Sequence, residues 1–167
     1  VTGVQTCALP ICSLRISNSA ASIFSGAVTL ANNLTLAPTL TNLLTLSGGM
    51  NGTGNLTVTG SGTTAAVTLS TNQVNIAGTI TNNGTNTGTT TISGGVGANV
   101  TAVTQSSASS PLTVSTNALT VNGGGTTLTV GAGGALLTVS GGVAGTGNLV
   151  LNNNSATARS EEHTSEL

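Results

Sequence analysis

The sequence predicts an all-β chain: a right-handed parallel β-helix (β-solenoid) of about six coils with a repeat of about 23 residues. Three observations predict it. The tripeptide Ser-Gly-Gly recurs at Ser47, Ser93 and Ser140, spaced 46 and 47 residues apart. Each copy follows a strand-like triplet: Leu44-Thr45-Leu46, Thr90-Thr91-Ile92 and Leu137-Thr138-Val139. Further copies of that strand fall halfway between, as Val67-Thr68-Leu69-Ser70 and Leu112-Thr113-Val114-Ser115, with a degenerate one at Ser22-Ile23-Phe24-Ser25. The closing serines then run 25, 47, 70, 93, 115 and 140, in steps of 22 to 25 residues.

The elements follow from local chemistry. Within each period lie further short segments, such as Leu56-Thr57-Val58, Leu119-Thr120-Val121 and Leu128-Thr129-Val130. They alternate apolar residues with Thr or Asn, the pattern of a strand with one buried face. Gly, Asn and Ser separate them and supply corners. No stretch carries a helical period of useful length. A unit of this size cannot close its own core, but stacked units can. Strands about 4.8 Å apart make six coils a rod about 30 Å long. Leu44, Val67, Leu112 and Leu137 are expected to stack inside, with Thr90 as the odd member. Leu46, Leu69, Ile92, Val114 and Val139 form a second inner ladder, with Phe24 capping or bulging the first coil. Thr45, Thr68, Thr91, Thr113 and Thr138 form an outer row. An antiparallel sandwich is the alternative, but it requires no 23-residue repeat.

Composition bounds the function. Charged residues make up 3% of the chain, which has no Asp, Lys, Trp or Tyr and a single aromatic, Phe24. With two arginines and no lysine it cannot neutralise a run of phosphates, which excludes a nucleic-acid partner. No apolar run reaches the length of a membrane helix, so no membrane insertion is expected of this chain. Stacking explains the missing charge: a ladder sets like side chains about 4.8 Å apart, where like charges repel and Thr, Asn and Ser can hydrogen-bond along the row.

The two ends differ from the middle. Cys7 and Cys12 lie at the start, and Arg159, Glu161, Glu162, His163 and Glu166 lie in the last nine residues. From 13 to 158, Arg15 is the only charged side chain. Residues 1–11, VTGVQTCALPI, and residues 159–167, RSEEHTSEL, resemble the two translated strands of one common sequencing adapter. Three segments follow: an adapter-like segment 1–12 outside the fold, a β-solenoid repeat fragment 13–158, and an adapter-like segment 159–167 outside the fold. The cysteine pair and the His163 cluster then carry no metal or acid–base reading. The chain is expected to be an internal piece of a longer reading frame.

The segments SGGMNGTGNLTVTGSG and SGGVAGTGNLVLNNNS resemble the autotransporter-associated β-strand repeat and related adhesin passenger sequences, over roughly residues 20 to 154. The resemblance implies a secreted or bacterial cell-surface rod, often part of a much longer chain, meeting a host surface or a glycan.

Chemistry is scarce in the middle. No Asp, Glu, His, Lys, Cys or Tyr occurs from 13 to 158. No general base and no carboxylate metal site can be assembled there, so no enzyme, cofactor or metal is expected. The glycine clusters at Gly52-Thr53-Gly54, Gly123-Gly124-Gly125 and Gly131-Ala132-Gly133-Gly134 complete neither a dinucleotide fingerprint nor a P-loop and read as corners. The Asn-x-Thr/Ser sequons at Asn33, Asn51, Asn55, Asn83, Asn99 and Asn153 arise by chance in so Asn- and Thr-rich a chain. The one candidate surface is the outward row Thr45, Thr68, Thr91, Thr113 and Thr138, an array suited to ice or a crystalline polysaccharide. The T-x-T pairs Thr57/Thr59, Thr79/Thr81 and Thr127/Thr129 start at different distances from the preceding closing serine and are expected not to stack. The plainer reading is that Thr suits solvent-facing strands. Unguarded strand edges of low charge also predict end-to-end self-association.

Overall fold

The structure, a computed structural model, describes residues 5–7, 11–16, 20–39 and 41–155. Among these residues there is no helix, and every strand pairing is parallel. The chain winds as a β-solenoid of about six turns, each laying a strand on two faces and a strand or a single bridge on a third. The long face stacks Ile11–Ile16, Asn33–Pro38, Leu56–Val58, Gly78–Asn82, Val100–Gln105, Thr126–Val130 and Leu149–Asn153. The second face stacks Ser22–Phe24, Leu43–Leu46, Ala66–Leu69, Thr90–Ile92, Leu112–Val114 and Leu137–Val139. The narrow face has Gln5–Cys7, Val28–Leu30 and Met50–Gly52 at one end and Leu119–Val121 with Val143–Gly145 at the other. Single bridges through Val74 and Val96 carry it across the middle.

The register is the one the closing serines predict. Leu46 pairs with Leu69, Leu69 with Ile92, Ile92 with Val114, and Val114 with Val139. Each closing serine donates its backbone N–H to the residue before the previous closure: Ser47 to Phe24, Ser70 to Leu46, Ser93 to Leu69, Ser115 to Ile92 and Ser140 to Val114. The two expected inner ladders are buried from Leu44 and Leu46 up to Leu112 and Val114, and Thr90 is buried among them. Phe24 is half-buried against the core at one end, as Leu137 and Val139 are at the other. The narrow face adds Val28, Met50, Val74, Val96 and Leu119 as a third buried file.

One boundary differs from the sequence reading. Segment 1–12 is expected outside the fold, yet Gln5–Cys7 pairs with Val28–Leu30, and Ile11–Ile16 pairs with Asn33–Pro38. The cause is physical. A solenoid's edge strand offers unpaired backbone groups to any extended neighbour. ICSLRI has the period-2 alternation that fits such an edge. Residues 159–167 lie outside the described residues.

The corners after the closing serines come in two kinds from Ser47 onward. Ser-Gly-Gly corners alternate with Ser-Thr-Asn corners, Ser70-Thr71-Asn72 and Ser115-Thr116-Asn117. Thr71 and Thr116 hold φ of 67° and 66°, and each is bridged by a tight bond: Asn72 N–H to Ser70 O at 2.8 Å and Asn117 N–H to Ser115 O at 2.7 Å. This is a γ-turn closure, rare for a β-branched residue. The Asn side chains reach down one coil, Asn72 Nδ2 to Ser47 O at 3.2 Å and Asn117 Nδ2 to Ser93 O at 3.0 Å. Their backbone carbonyls press upward: a Cβ on Gly94 would run into the carbonyl of Asn72, and one on Gly141 into that of Asn117. Gly48 meets the carbonyl of Gly26 in the same way, so the first glycine of each Ser-Gly-Gly corner lies against backbone of the coil below.

Gly94→Ala is therefore expected to destabilise the rod by about 1–3 kcal/mol, because the methyl must displace backbone. Gly123→Ala serves as control: nothing lies within 4 Å of the added carbon and its φ is not positive. It should be neutral or stabilise by up to about 1 kcal/mol through the unfolded state. Urea unfolding of both variants, followed by circular dichroism, checks the contrast.

Candidate functional site

The candidate surface is built by strand alternation. In each second-face strand the residues flanking the central Thr point inward, so Thr45, Thr68, Thr91, Thr113 and Thr138 must point out. The pairings place these five in one continuous file, each aligned with the next. All five are half-buried by their neighbours. The file is extended at its N-terminal end by Ile23, aligned with Thr45 and exposed. Among the described residues no hydrogen bond links one hydroxyl of this file to the next. The expected bonding along the row is absent, and the hydroxyls are left to solvent.

The long face carries a second file that counting along the sequence does not find. Thr35, Thr57, Thr81, Thr104 and Thr129 align in succession, with Ser13 before them and Asn152 after. The expectation that the T-x-T pairs do not stack holds for Thr57/Thr59. It fails for the other two. Thr79 and Thr127 share one row through Ala102, and Thr81 and Thr129 share the next through Thr104. The distance from a closing serine misleads because corner residues add length off the sheet. Asn122-Gly123-Gly124-Gly125 is such a corner, folded on itself by Gly125 N–H to Asn122 O at 2.7 Å. Thr101, a bulge opposite the Gly78–Thr79 step, absorbs another residue. Within a file the threonines repeat every 4.8 Å or so, and neighbouring files lie about 7 Å apart.

The other polar constellation is internal. Asn82 and Gln105 occupy the inner file that runs Leu36, Val58, Asn82, Gln105 and Val130, and both have 0% exposure. Asn82 Nδ2 donates to Gln105 Oε1 and to Ser110 O, each at 2.8 Å. Asn82 Oδ1 accepts from Thr90 Oγ1 at 3.3 Å, which explains the odd Thr of the facing ladder. Gln105 Nε2 donates to Ser107 O at 3.0 Å and Ser110 O at 2.7 Å. Ser110 Oγ closes the cluster by donating to Gly88 O at 2.6 Å. The groups are neutral amides and hydroxyls turned on one another, so they hold the corner and offer no acid, base or cation ligand. Beside them, Asn42 is buried with neither amide atom bonded, and Asn86 donates to Ala65 O but leaves its Oδ1 unpaired.

The remaining concavity is an open cavity of about 270 Å³ near the C-terminal end of the rod, lined by residues that include Val130, Leu136, Leu137 and Asn153. It carries no titratable group. No protein-family model, curated protein or solved structure matches the chain.

Two expectations follow from this chemistry. The same substitution should act with opposite sign at two buried asparagines. Asn82→Val strips partners from Gln105 and Thr90 and should cost about 1–3 kcal/mol. Asn42→Val removes two unpaired polar atoms and should be neutral or stabilising. Paired denaturation midpoints decide this. The second expectation concerns pH. From 13 to 158 no Asp, Glu, His, Lys, Cys or Tyr occurs, and Arg15 is the only charged side chain. Folded and unfolded states of that stretch bind equal numbers of protons, so its contribution to the slope of stability against pH is zero. Calorimetric melts from about pH 4 to 9 should superimpose. Any slope would have to enter through Cys7, Cys12 or the Glu161–His163 end.

Proposed function

We propose that this chain is a non-catalytic structural or adhesive repeat segment of a secreted or bacterial cell-surface protein of autotransporter or adhesin type. The observation that carries the reading is the continuous parallel stacking: coil follows coil along the described residues, and the outward rows are mostly neutral Thr, Asn and Ser. A rod of that kind sets distance and presents a uniform flank. Among the described residues there is no cluster of side chains of acid–base chemistry. The segments SGGMNGTGNL and SGGVAGTGNL lie four coils apart; Met50 and Val143 belong to one file, whereas Leu56 aligns with Leu151 rather than with Leu149. Contact with a host surface or glycan would be made along the flank, through many weak neutral contacts. Among the described residues no helix is long and apolar enough to cross a membrane.

The second reading is a ligand-binding solenoid for ice or glycan, and the two five-membered threonine files favour it. The files present methyl and hydroxyl groups on a regular lattice without charge. Aromatic platforms that grip sugar rings are lacking, since Phe24 is the only aromatic residue.

Displayed on a bacterial cell through an outer-membrane anchor, the chain should raise retention of the cells on glycan-coated or abiotic surfaces. Retention should not fall from low to high salt, because there is almost no charge to screen. Cells that gain no retention would count against adhesion. Thermal hysteresis of the purified chain that disappears in a Thr81→Lys, Thr104→Lys double variant would favour the ice reading instead.

A further inference from the structure

Asparagine followed by glycine occurs three times, at Asn51-Gly52, Asn83-Gly84 and Asn122-Gly123. The pair is reactive because glycine has no Cβ to shield its backbone nitrogen. That nitrogen can attack the asparagine Cγ. A new N–C bond forms, the Cγ–Nδ2 bond breaks, ammonia leaves and a succinimide ring remains. Water then opens the ring to an aspartyl or isoaspartyl carboxylate, so the net change is water taken up and ammonia released. Ring closure needs an unbonded side-chain amide, a loosely held glycine N–H and an asparagine ψ turned out of the extended range. The three sites differ in these respects. Asn122 is pinned at both side-chain atoms: Oδ1 accepts from Gly124 N–H at 2.8 Å and Nδ2 donates to Ala98 O at 2.6 Å. Asn51 is the central residue of the strand Met50–Gly52, paired with Val28–Leu30. Gly52 beside it is held from both sides, with Thr53 N–H bonded to Leu30 O at 2.9 Å and Ala77 N–H to Gly52 O at 2.8 Å.

We propose that Asn83 is a self-modification site: it closes a succinimide with the Gly84 nitrogen and gives the stretch from 13 to 158 its first carboxylate, while the fold protects Asn51 and Asn122. Asn83 lies just past the strand Gly78–Asn82 and is exposed. Among the described residues no hydrogen bond engages its side-chain amide. The Gly84 N–H has one partner, Asn82 Oδ1, at 3.4 Å, beyond the usual range of an N–H to oxygen bond. The bonds that tie this corner to its neighbours fall on either side: Asn83 N–H to Val58 O at 2.8 Å, Thr85 N–H to Gly60 O at 2.9 Å and Ser107 Oγ to Gly84 O at 2.5 Å. The reacting pair at Asn83 is thus the least restrained of the three. Extending the register of Asn82 with Val58 and with Gln105 puts Thr59 and Ser106 beside Asn83. Both are neutral, so an aspartate there meets no like charge. An isoaspartate lengthens the main chain by a methylene and shifts the flanking bonds out of line.

The test uses the full chain, incubated in mildly alkaline buffer beside three short synthetic peptides that carry the same Asn-Gly pairs without the fold. Anion exchange and peptide mass mapping follow the loss of each amide. In the folded chain Asn83 should convert first, with Asn51 and Asn122 slower by about tenfold or more, the factor that breaking one restraining hydrogen bond adds to a barrier. The three peptides should convert at similar rates. Asn83→Asp marks the elution position of the aspartyl product, and Asn83→Gln should remove the early conversion. Circular dichroism confirms that the incubated chain and both variants keep their β signal. A folded chain in which Asn83 keeps its amide while its peptide converts overturns the proposal. So does conversion at Asn51 or Asn122 as fast as at Asn83, since the dipeptide alone would then decide the rate.

Discussion

Every feature of this rod answers to one constraint: what stands at a given place in one coil is met by its own kind in the next, about 4.8 Å away. Inside, the constraint is favourable. Leucine on valine on isoleucine buries apolar surface continuously, and five or six ladders merge into one core without any single coil having a core of its own. Outside, the same spacing penalises charge, since like charges would stack at a distance where repulsion is strong. The chain meets this by having almost no charge. Its threonine rows are thus first a solution to a stacking problem, whatever surface they also suit.

Sheets stack themselves through backbone bonds, but corners do not. Where the chain turns, the ladder is interrupted and backbone groups of neighbouring coils fall out of line. Asparagine repairs the gap. Asn33 Oδ1 accepts from Asn55 N–H at 2.9 Å, Asn55 Oδ1 from Thr79 N–H at 2.9 Å, and Asn75 Oδ1 from Asn99 N–H at 3.0 Å. Elsewhere the amide donates, as Asn122 Nδ2 does to Ala98 O at 2.6 Å. A side chain that offers both a donor and an acceptor, reaches one coil and carries no charge fits each of these places. Aspartate would keep the acceptor but bring back the stacked repulsion. The asparagine content, which in the sequence reads only as turn composition, is a set of links between coils.

The sheet register was legible because the second face closes each coil with the same four-residue pattern, and the ladders followed from it. The long-face threonine file was not, because Asn122-Gly123-Gly124-Gly125 and the bulge at Thr101 lengthen the chain without advancing the sheet. The buried Asn82 and Gln105 were overlooked for a different reason. Each lies two residues beyond a core apolar residue, Ile80 and Val103, so strand parity alone puts them inside. Polarity argued for the outside. Parity wins because a strand cannot turn one side chain over without a bulge, and the core accommodates the amides by pairing them with each other, with Thr90 and with Ser110. Segment 1–12 shows the converse error. A composition unlike the rest of the chain does not stop a segment from pairing, since an open parallel edge selects only for extended, alternating backbone.

The two kinds of corner restrict how such a rod can be assembled. A wide Ser-Thr-Asn corner holds a threonine at positive φ, a cost of about 1–3 kcal/mol. Its asparagine offsets part of this by bonding to the serine carbonyl one coil below. The same corner fills the space above it with the asparagine carbonyl. The next coil must therefore present glycine there, as Gly94 and Gly141 do. The requirement runs one way. A slim corner accepts another slim corner beneath it, since Gly26 lies under Gly48 with carbonyl against Cα. Losing a wide coil leaves glycine on glycine, a stacking this chain already contains. The first glycine of each Ser-Gly-Gly corner thus meets a backbone carbonyl of the coil below, whichever kind of corner lies there, and in this chain that glycine returns at a spacing of 46 to 47 residues.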